Sequence, residues 1–350
     1  MQVIFKVFTL GLTVVLCISG CKQKSAVMVE NFVYNISDAP TPQCHASTIA
    51  ASGEFLIASW FGGTEEKNDD VGIWVARHDG ASWSAPVEVA NGVQNDTLRY
   101  PCWNPVLFSP AQGPLMLFYK VGPDPKSWWG LLMTSEDHGQ TWSQPARLPQ
   151  GIYGPIKNKP VQLASGEILC PTSTEHDGWK VQIETLDPVS DQWRNSGDLN
   201  DGRDIGAIQP SILTHPGGKL QILCRTEQGH ISESWSQDNG ATWGPMELID
   251  LPNPNSGIDA VTLKDGRHLL VYNPTGGDWG DRVPLSLAVS NDGKDWEPVL
   301  ELESVTDPET TDEEEYSYPA IIQTSDEKVH IVYTWNRQTV KHVVVDPYQI

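Results

Sequence analysis

Six short stretches of this 350-residue chain begin with a polar side chain and continue as an apolar, alternating run. Their first residues are His45, Asn104, Lys159, Gln209, Asp259 and Tyr318. A second polar set closes the return runs: Lys120, Glu175, Arg225 and Glu227, with Arg337 as the corresponding residue of the last unit. His45 and Tyr318 are proton-transfer groups. Lys120, Lys159 and Arg225 could stabilise a developing anion. Together they have the parts needed for eliminative cleavage of a uronate-containing glycan: a base for the C5 proton, an acid for the leaving oxygen and a cation for the carboxylate. Hydrolysis is the competing chemistry, with Tyr318 or Tyr316 as nucleophile or with a carboxylate pair such as Asp70 and Glu175. A single polar strand start is ordinary solvent capping. Six that include His, Lys, Asp and Tyr mark a candidate site.

The elements that must position these residues are hairpins. Each polar residue opens an alternating run, a Gly or Asp turn follows, and a second apolar run returns, as in Asn104–Phe108 with Leu115–Lys120. Alternation over such short runs is a strand signal. Between the hairpins lies a second repeat, Ser-x-Asp-x-Gly-x-Thr-Trp at residues 135–142 and 236–243. A shorter copy occupies 290–296, and weaker ones end at Trp83 and Trp193. The closing tryptophans 83, 142, 193, 243 and 296 are spaced by 59, 51, 50 and 53 residues, a period that means stacked supersecondary units. Asp and Gly make a tight turn whose carboxylate accepts backbone N–H bonds, and the Trp anchors the next strand. Four antiparallel strands per unit and almost no helical periodicity predict an all-β fold, a six-bladed β-propeller. Phe32–Ile36 or His342–Val345 is expected to complete a blade. The inner strands start at one mouth of the channel and the tryptophan turns face the other side, so the ring of strand starts carries the function.

These Asp-box turns resemble those of the sialidase superfamily, and the resemblance runs from about Phe32 to the end of the chain. It implies a six-bladed propeller that cleaves a glycosidic bond at an acidic sugar. It also implies three arginines on the substrate carboxylate, a tyrosine nucleophile with an activating glutamate, and an aspartate acid/base in an early loop. Carried onto this chain, the second and third arginines are Arg225 and Arg282, and the nucleophile is Tyr316 or Tyr318. The activating carboxylate is Glu175 or Glu227, and the acid/base is Asp70 in the loop 62–70. At the first arginine position the chain has His45. An imidazole does not supply bidentate guanidinium geometry, which weighs against ordinary sialic acid hydrolysis. More distantly, the chain resembles propeller enzymes that cleave rhamnose–glucuronate or ulvan-type linkages, the elimination alternative. A third reading is a non-catalytic glycan-binding surface lipoprotein using Trp128, Trp129, Trp179 and Trp279.

Residues 1–20 contain Lys6, an apolar run over 7–18 too short for a membrane span, and small residues before Cys21, which predicts an export signal. The residues before Cys21 resemble a bacterial lipoprotein processing site. On that reading Cys21 is lipidated, 21–31 is a tether and 32–350 the propeller, in the periplasm or on the cell surface. A net charge of −22 argues against nucleic acid as a partner. The expected partner is an acidic oligo- or polysaccharide, met by a monomer whose only membrane contact is its lipid. No cofactor or metal is expected. Cys44, Cys102, Cys170 and Cys224 lack metal or redox spacing and are expected as buried free thiols, with pairs 44–102 and 170–224 as the alternative. The acidic run from Asp307 to Glu315 is expected as a solvated loop near the mouth rather than a calcium site, and Arg99 as a side chain reaching the pocket.

Overall fold

The computed structural model describes residues 26–305 and 314–350. The leader, Cys21 and Asp307–Glu313 lie outside the described residues. Six four-stranded antiparallel sheets form the blades of a propeller, and no α-helix occurs among the described residues. From the channel outwards, blade one is Gln43–Ser52, Phe55–Gly63, Gly72–His78 and Val87–Ala90. Blade two is Cys102–Phe108, Leu115–Val121, Trp129–Ser135 and Ala146–Arg147. Blade three begins with the two-residue strand Val161–Gln162, followed by Ile168–Thr174, Lys180–Asp187 and Gln192–Asn195. Blade four is Ala207–Thr214, Leu220–Thr226, His230–Ser236 and Glu247–Pro252. Blade five is Asp259–Thr262, His268–Tyr272, Leu285–Ser290 and Glu297–Glu303.

Blade six joins both ends of the chain. Its inner strands are Tyr316–Gln323, Val329–Trp335 and Thr339–Val345, and its outermost strand is Val27–Phe32, paired antiparallel to Thr339–Val345. The closing strand therefore begins inside the stretch expected to be a tether and ends at Phe32, where it was expected to begin. Pairing the N-terminal strand with the last blade satisfies an edge that would otherwise stay open.

The tryptophan turns are built as expected. Oδ1 of Asp137 accepts the backbone N–H groups of Gln140 at 3.1 Å and Thr141 at 2.8 Å, while Thr141 Oγ1 donates to Oδ2 at 2.6 Å. The Thr141 hydroxyl, followed by the backbone donors, holds the Asp137 carboxyl down at about 2. Asp238 repeats the pattern with Thr242. The core lies between blades as stacked apolar layers. Cys44, Cys102, Cys170 and Cys224 are buried free thiols within such layers, raised by burial.

One backbone device recurs at the channel. In blades one, two, four and six the inner strand carries one residue more than its partner, with pairing jumping from His45 to Thr48, Trp103 to Val106, Ile208 to Ser211 and Ser317 to Ala320. Each jump is a β-bulge. The left-handed residues are Ala46 (φ 54°), Asn104 (31°), Gln209 (57°) and Tyr318 (51°). Blade one is thus shifted by one from the expected register, because Ala46, not His45, is the counterpart of Tyr318.

Candidate active site

Tyr318 is the centre of the channel mouth. A bulky residue at φ 51° is a backbone outlier, and such strain is held in place by its surroundings. Nη1 of Arg225 donates to its phenol oxygen at 2.8 Å, and Nε2 of Gln209 approaches the same oxygen at 3.5 Å. The His45 ring lies against the Tyr318 ring with centroids 4.2 Å apart. Behind the tyrosine, Lys157 Nζ donates to Asn158 Oδ1 and Ile258 O, each at 2.9 Å, and to Pro319 O. That ammonium ties blades five and six to the loop that enters blade three, directly beside the strained residue. Tyr316, the other candidate nucleophile, is buried in the apolar core between blades five and six and packs near Trp335. The bulge explains this: two residues along a strand normally share a face, but the extra residue re-aims Tyr318 into the mouth.

Arg225 is only 2 % exposed. Its Nε donates to Asn255 Oδ1 at 2.8 Å, Nη2 to Asn255 O, and Nη1 to Tyr318 and, at 3.5 Å, to Gln209 Oε1. Trp179, Trp279 and Tyr318 cover the guanidinium at 5.5, 5.6 and 5.7 Å from their ring centroids. Arg282 and Arg337 converge on one carboxylate: Arg282 Nη1 donates to Glu315 Oε1 at 2.9 Å and Arg337 Nε to Oε2 at 2.8 Å. Ser317 Oγ adds 2.6 Å to Oε1, and Arg337 Nη1 reaches Glu66 at 2.7 Å. His45 Nδ1 stands 3.9 Å from Glu315 without a hydrogen bond. Burial pushes its imidazole well below the ordinary 6.5, so it is neutral. Burial opposes the Glu315 carboxylate, yet His45 and the Arg282 and Arg337 guanidiniums hold it well below the usual range. With His45 neutral, the two guanidiniums carry that effect.

The remaining carboxylates divide by position. Glu175, just past the second strand of blade three, is raised by burial although Arg225 and Lys126 pull it down. Glu227 is raised by burial and by Asp278, and is exposed. Asp70 is exposed and caps its own loop, accepting from the backbone N–H of Thr64 at 2.9 Å and from its hydroxyl. The early loop instead sends Glu66 into the arginine network.

Several expected site residues are engaged elsewhere. Lys159 and Asp259 bind each other, with both carboxylate oxygens 3.0 Å from Nζ, and Asp259 also accepts from Ser211 Oγ at 2.7 Å and Ile321 N at 2.9 Å. They stand at the two blades whose inner strand pair has no bulge and form a strut across the channel. Lys120 is fully buried between blades two and three, where it donates to Pro155 O and faces Glu184. It cannot meet a substrate. His45, 3 % exposed and beneath Tyr318, is likewise not a surface base. Asn104 occupies the bulge position of blade two and is buried. Arg99 supports the early loop through Asp70 O at 2.7 Å rather than reaching the pocket. Trp128 is buried against Trp103, and Trp129 stacks under Arg147 at 4.7 Å, so only Trp179 and Trp279 of the four tryptophans roof the site.

Glu66, Lys157 and Asn255 were not legible as site residues. Lys157 precedes the expected strand start by two positions, and Asn255 lies in a connector whose path only the ring closure sets. A hollow of about 590 Å³ on the opposite face lies among the tryptophan turns and strands of blades three and four, where Arg194 is paired to Glu167 at 2.5 Å. Those charges serve each other. Among the described residues no group of three His, Cys, Asp or Glu is placed to hold a metal ion.

Fold and site together define a six-bladed propeller of Asp-box repeats with an arginine- and tyrosine-lined mouth. The family described as BNR repeat-like domain matches residues 54–331, and the chain belongs to it. A sialidase, NanB of Streptococcus pneumoniae, superposes with a TM-score of 0.71 at 13% identity, covering 89% of this chain and 70% of that one. An intramolecular trans-sialidase from Ruminococcus gnavus gives 0.68 at 13%, covering 90% and 97%. A protein of unknown function from Dyadobacter fermentans gives 0.72 at 15%, covering 91% and 98%. At these identities the likeness is one of fold. No curated protein matches the sequence.

Proposed function

We propose that the chain is a carbohydrate-active enzyme that hydrolyses a glycosidic bond at an acidic sugar. The observation that carries this reading is the Tyr318 phenol, strained into the mouth with an arginine donor at 2.8 Å and further guanidiniums around it. A cation on that oxygen offsets the charge that develops as it loses its proton. In this reading the Tyr318 oxygen attacks the anomeric carbon and the bond to the leaving oxygen breaks. A protein carboxyl or water protonates the leaving group, and water then releases the sugar from the tyrosine. The carboxylate assigned to take and return the Tyr318 proton is Glu175, which burial raises.

The burial of His45 favours hydrolysis over elimination, since the imidazole that would remove the C5 proton lies under the tyrosine. As an exported, lipid-tethered monomer the chain would meet its glycan outside the cytoplasm, without a cofactor. Incubation with panels of sialylated and uronate-rich glycans, with NMR of the products, tests the reading. A saturated reducing sugar is expected. An unsaturated uronate end would replace hydrolysis with elimination, and binding without turnover would make the protein a lectin.

A further inference from the structure

Two adjacent side chains beneath the mouth, Lys157 and Asn158, have no part in the chemistry proposed above. Both are buried, at 2% and 1% exposure, in the segment that crosses from blade two to blade three. That segment is fastened as it enters. The Glu184 carboxylate accepts from Tyr153 N at 2.9 Å and Gly154 N at 2.7 Å, Lys120 donates to Pro155 O, and Ile156 N donates to Pro171 O at 3.0 Å. Its last two side chains then reach away from their own blade. Asn158 Nδ2 donates to Gln209 O at 2.9 Å and to Pro210 O at 3.1 Å, on the inner strand of blade four. Lys157 Nζ donates to Ile258 O at 2.9 Å, just ahead of blade five, and to Pro319 O in blade six. Its remaining proton goes to Asn158 Oδ1 at 2.9 Å.

Every acceptor around this ammonium is the oxygen of a neutral group. Burying a charge without a carboxylate partner costs stability, and no neutral side chain carries as many donors on one atom. The oxygens gripped belong to the bulges of blades four and six, whose left-handed residues are Gln209 (φ 57°) and Tyr318 (φ 51°). Those are the residues that meet at the phenol oxygen. The Tyr318 ring also rests on the backbone of Gly257, where a Cβ would come within 3.3 Å of the ring and 3.4 Å of Lys157 Cε. We propose that Lys157 and Asn158 form a keystone that positions the Tyr318 phenol, Asn158 by fixing the bulge under Gln209 and Lys157 by fixing the backbone that follows Tyr318. Neither meets the substrate, so both are positioning residues. The inference rests on the reading of Tyr318 as the reacting group and adds to it a segment from a third blade.

The test is fluorine NMR of the folded protein labelled with 3-fluorotyrosine, the Tyr318 line being assigned by its loss in Tyr318→Phe. Lys157→Gln removes donors, and Asn158→Asp keeps an oxygen beside the ammonium while removing the donor to blade four. Each is expected to shift or split the Tyr318 line and to leave the Tyr34 and Tyr119 lines in place. On the glycan identified by product NMR, kcat should fall about tenfold or more with KM within about threefold, at a temperature where calorimetry shows the variants folded. A merely structural role would lower the melting temperature yet leave the Tyr318 line and the kcat of the folded protein as in the wild type, and that result would overturn the inference. Asn158→Asp decides the matter if Lys157→Gln fails to fold. A displaced Tyr318 line in a protein whose wild type turns over no glycan would uphold the keystone and remove the enzyme reading. An undisplaced line beside an active wild type would do the reverse.

Discussion

Tyr318 satisfies constraints that no other residue of the mouth combines. It is a strained non-glycine residue, its oxygen meets a guanidinium, and its ring covers a neutral histidine. Replacing only the oxygen isolates the chemical role, because the phenyl ring would keep the packing. Tyr318→Phe should cut turnover by about 10²–10⁴-fold, the range typical of a lost proton-transfer or nucleophilic group, with little change in sugar affinity. Tyr316→Phe should leave turnover near that of the wild type, since that ring belongs to the core. Steady-state rates on the glycan identified by product NMR compare the two. Equal losses would sink the assignment to Tyr318.

At the scale of elements, two joints hold the ring around the site. Lys157 donates to backbone oxygens of blades five and six from a fully buried position. In Lys157→Met the carbonyls of Ile258 and Pro319 lose their donor, and unpaired buried acceptors cost about 1–3 kcal/mol each. A loss of roughly 2–6 kcal/mol should appear as a lower urea midpoint, and turnover should fall as well because Pro319 follows Tyr318. An unchanged midpoint would mean that water replaces the ammonium. The second joint is Val27–Phe32. A chain beginning after Phe32 exposes the edge of Thr339–Val345 and should melt at a lower temperature or aggregate, as measured by calorimetry and light scattering. The tryptophan turns and strand periods were legible because they depend on neighbours in sequence. The bulges were not, since an extra residue shows only as a jump in pairing, and that jump placed Tyr318 rather than Tyr316 in the mouth.

For the whole molecule, burial sets the response to acid. Six of the nine histidines are held below the ordinary imidazole value, with burial as the main cause, among them His330 at about 4 and His342 at about 3. These two rings share a 3.0 Å hydrogen bond where the last blade closes against blade one, facing His78 and Trp83. Each is neutral in the fold and free to protonate near 6.5 once unfolded, so its contribution is complete above about pH 6.5 and is lost as pH falls towards 4 and 3. Each proton taken up on unfolding changes stability by about 1.4 kcal/mol per pH unit. Urea midpoints should therefore drop clearly between pH 7 and 5, and less so in a His330→Asn, His342→Asn double variant. A flat profile in the wild type would contradict the burial of these rings.

The sequence by itself determined the blade number, the antiparallel four-stranded unit, the face carrying the tryptophan turns and the membership of His45, Arg225, Arg282 and Tyr318 in one mouth. All but the place of Arg282, which the family resemblance implied, follow from period, alternation and turn chemistry, and these are local. Only the tertiary structure decided which polar groups are free to act. Lys159 and Asp259 are a hundred residues apart and neutralise each other, and Lys120 disappears between blades. Glu66, Glu315, Arg282 and Arg337 come from three different blades and their loops to share two carboxylates. Charge pairing across a closed ring depends on distances that no stretch of sequence encodes. The accessibility of each arginine followed only from the folded chain.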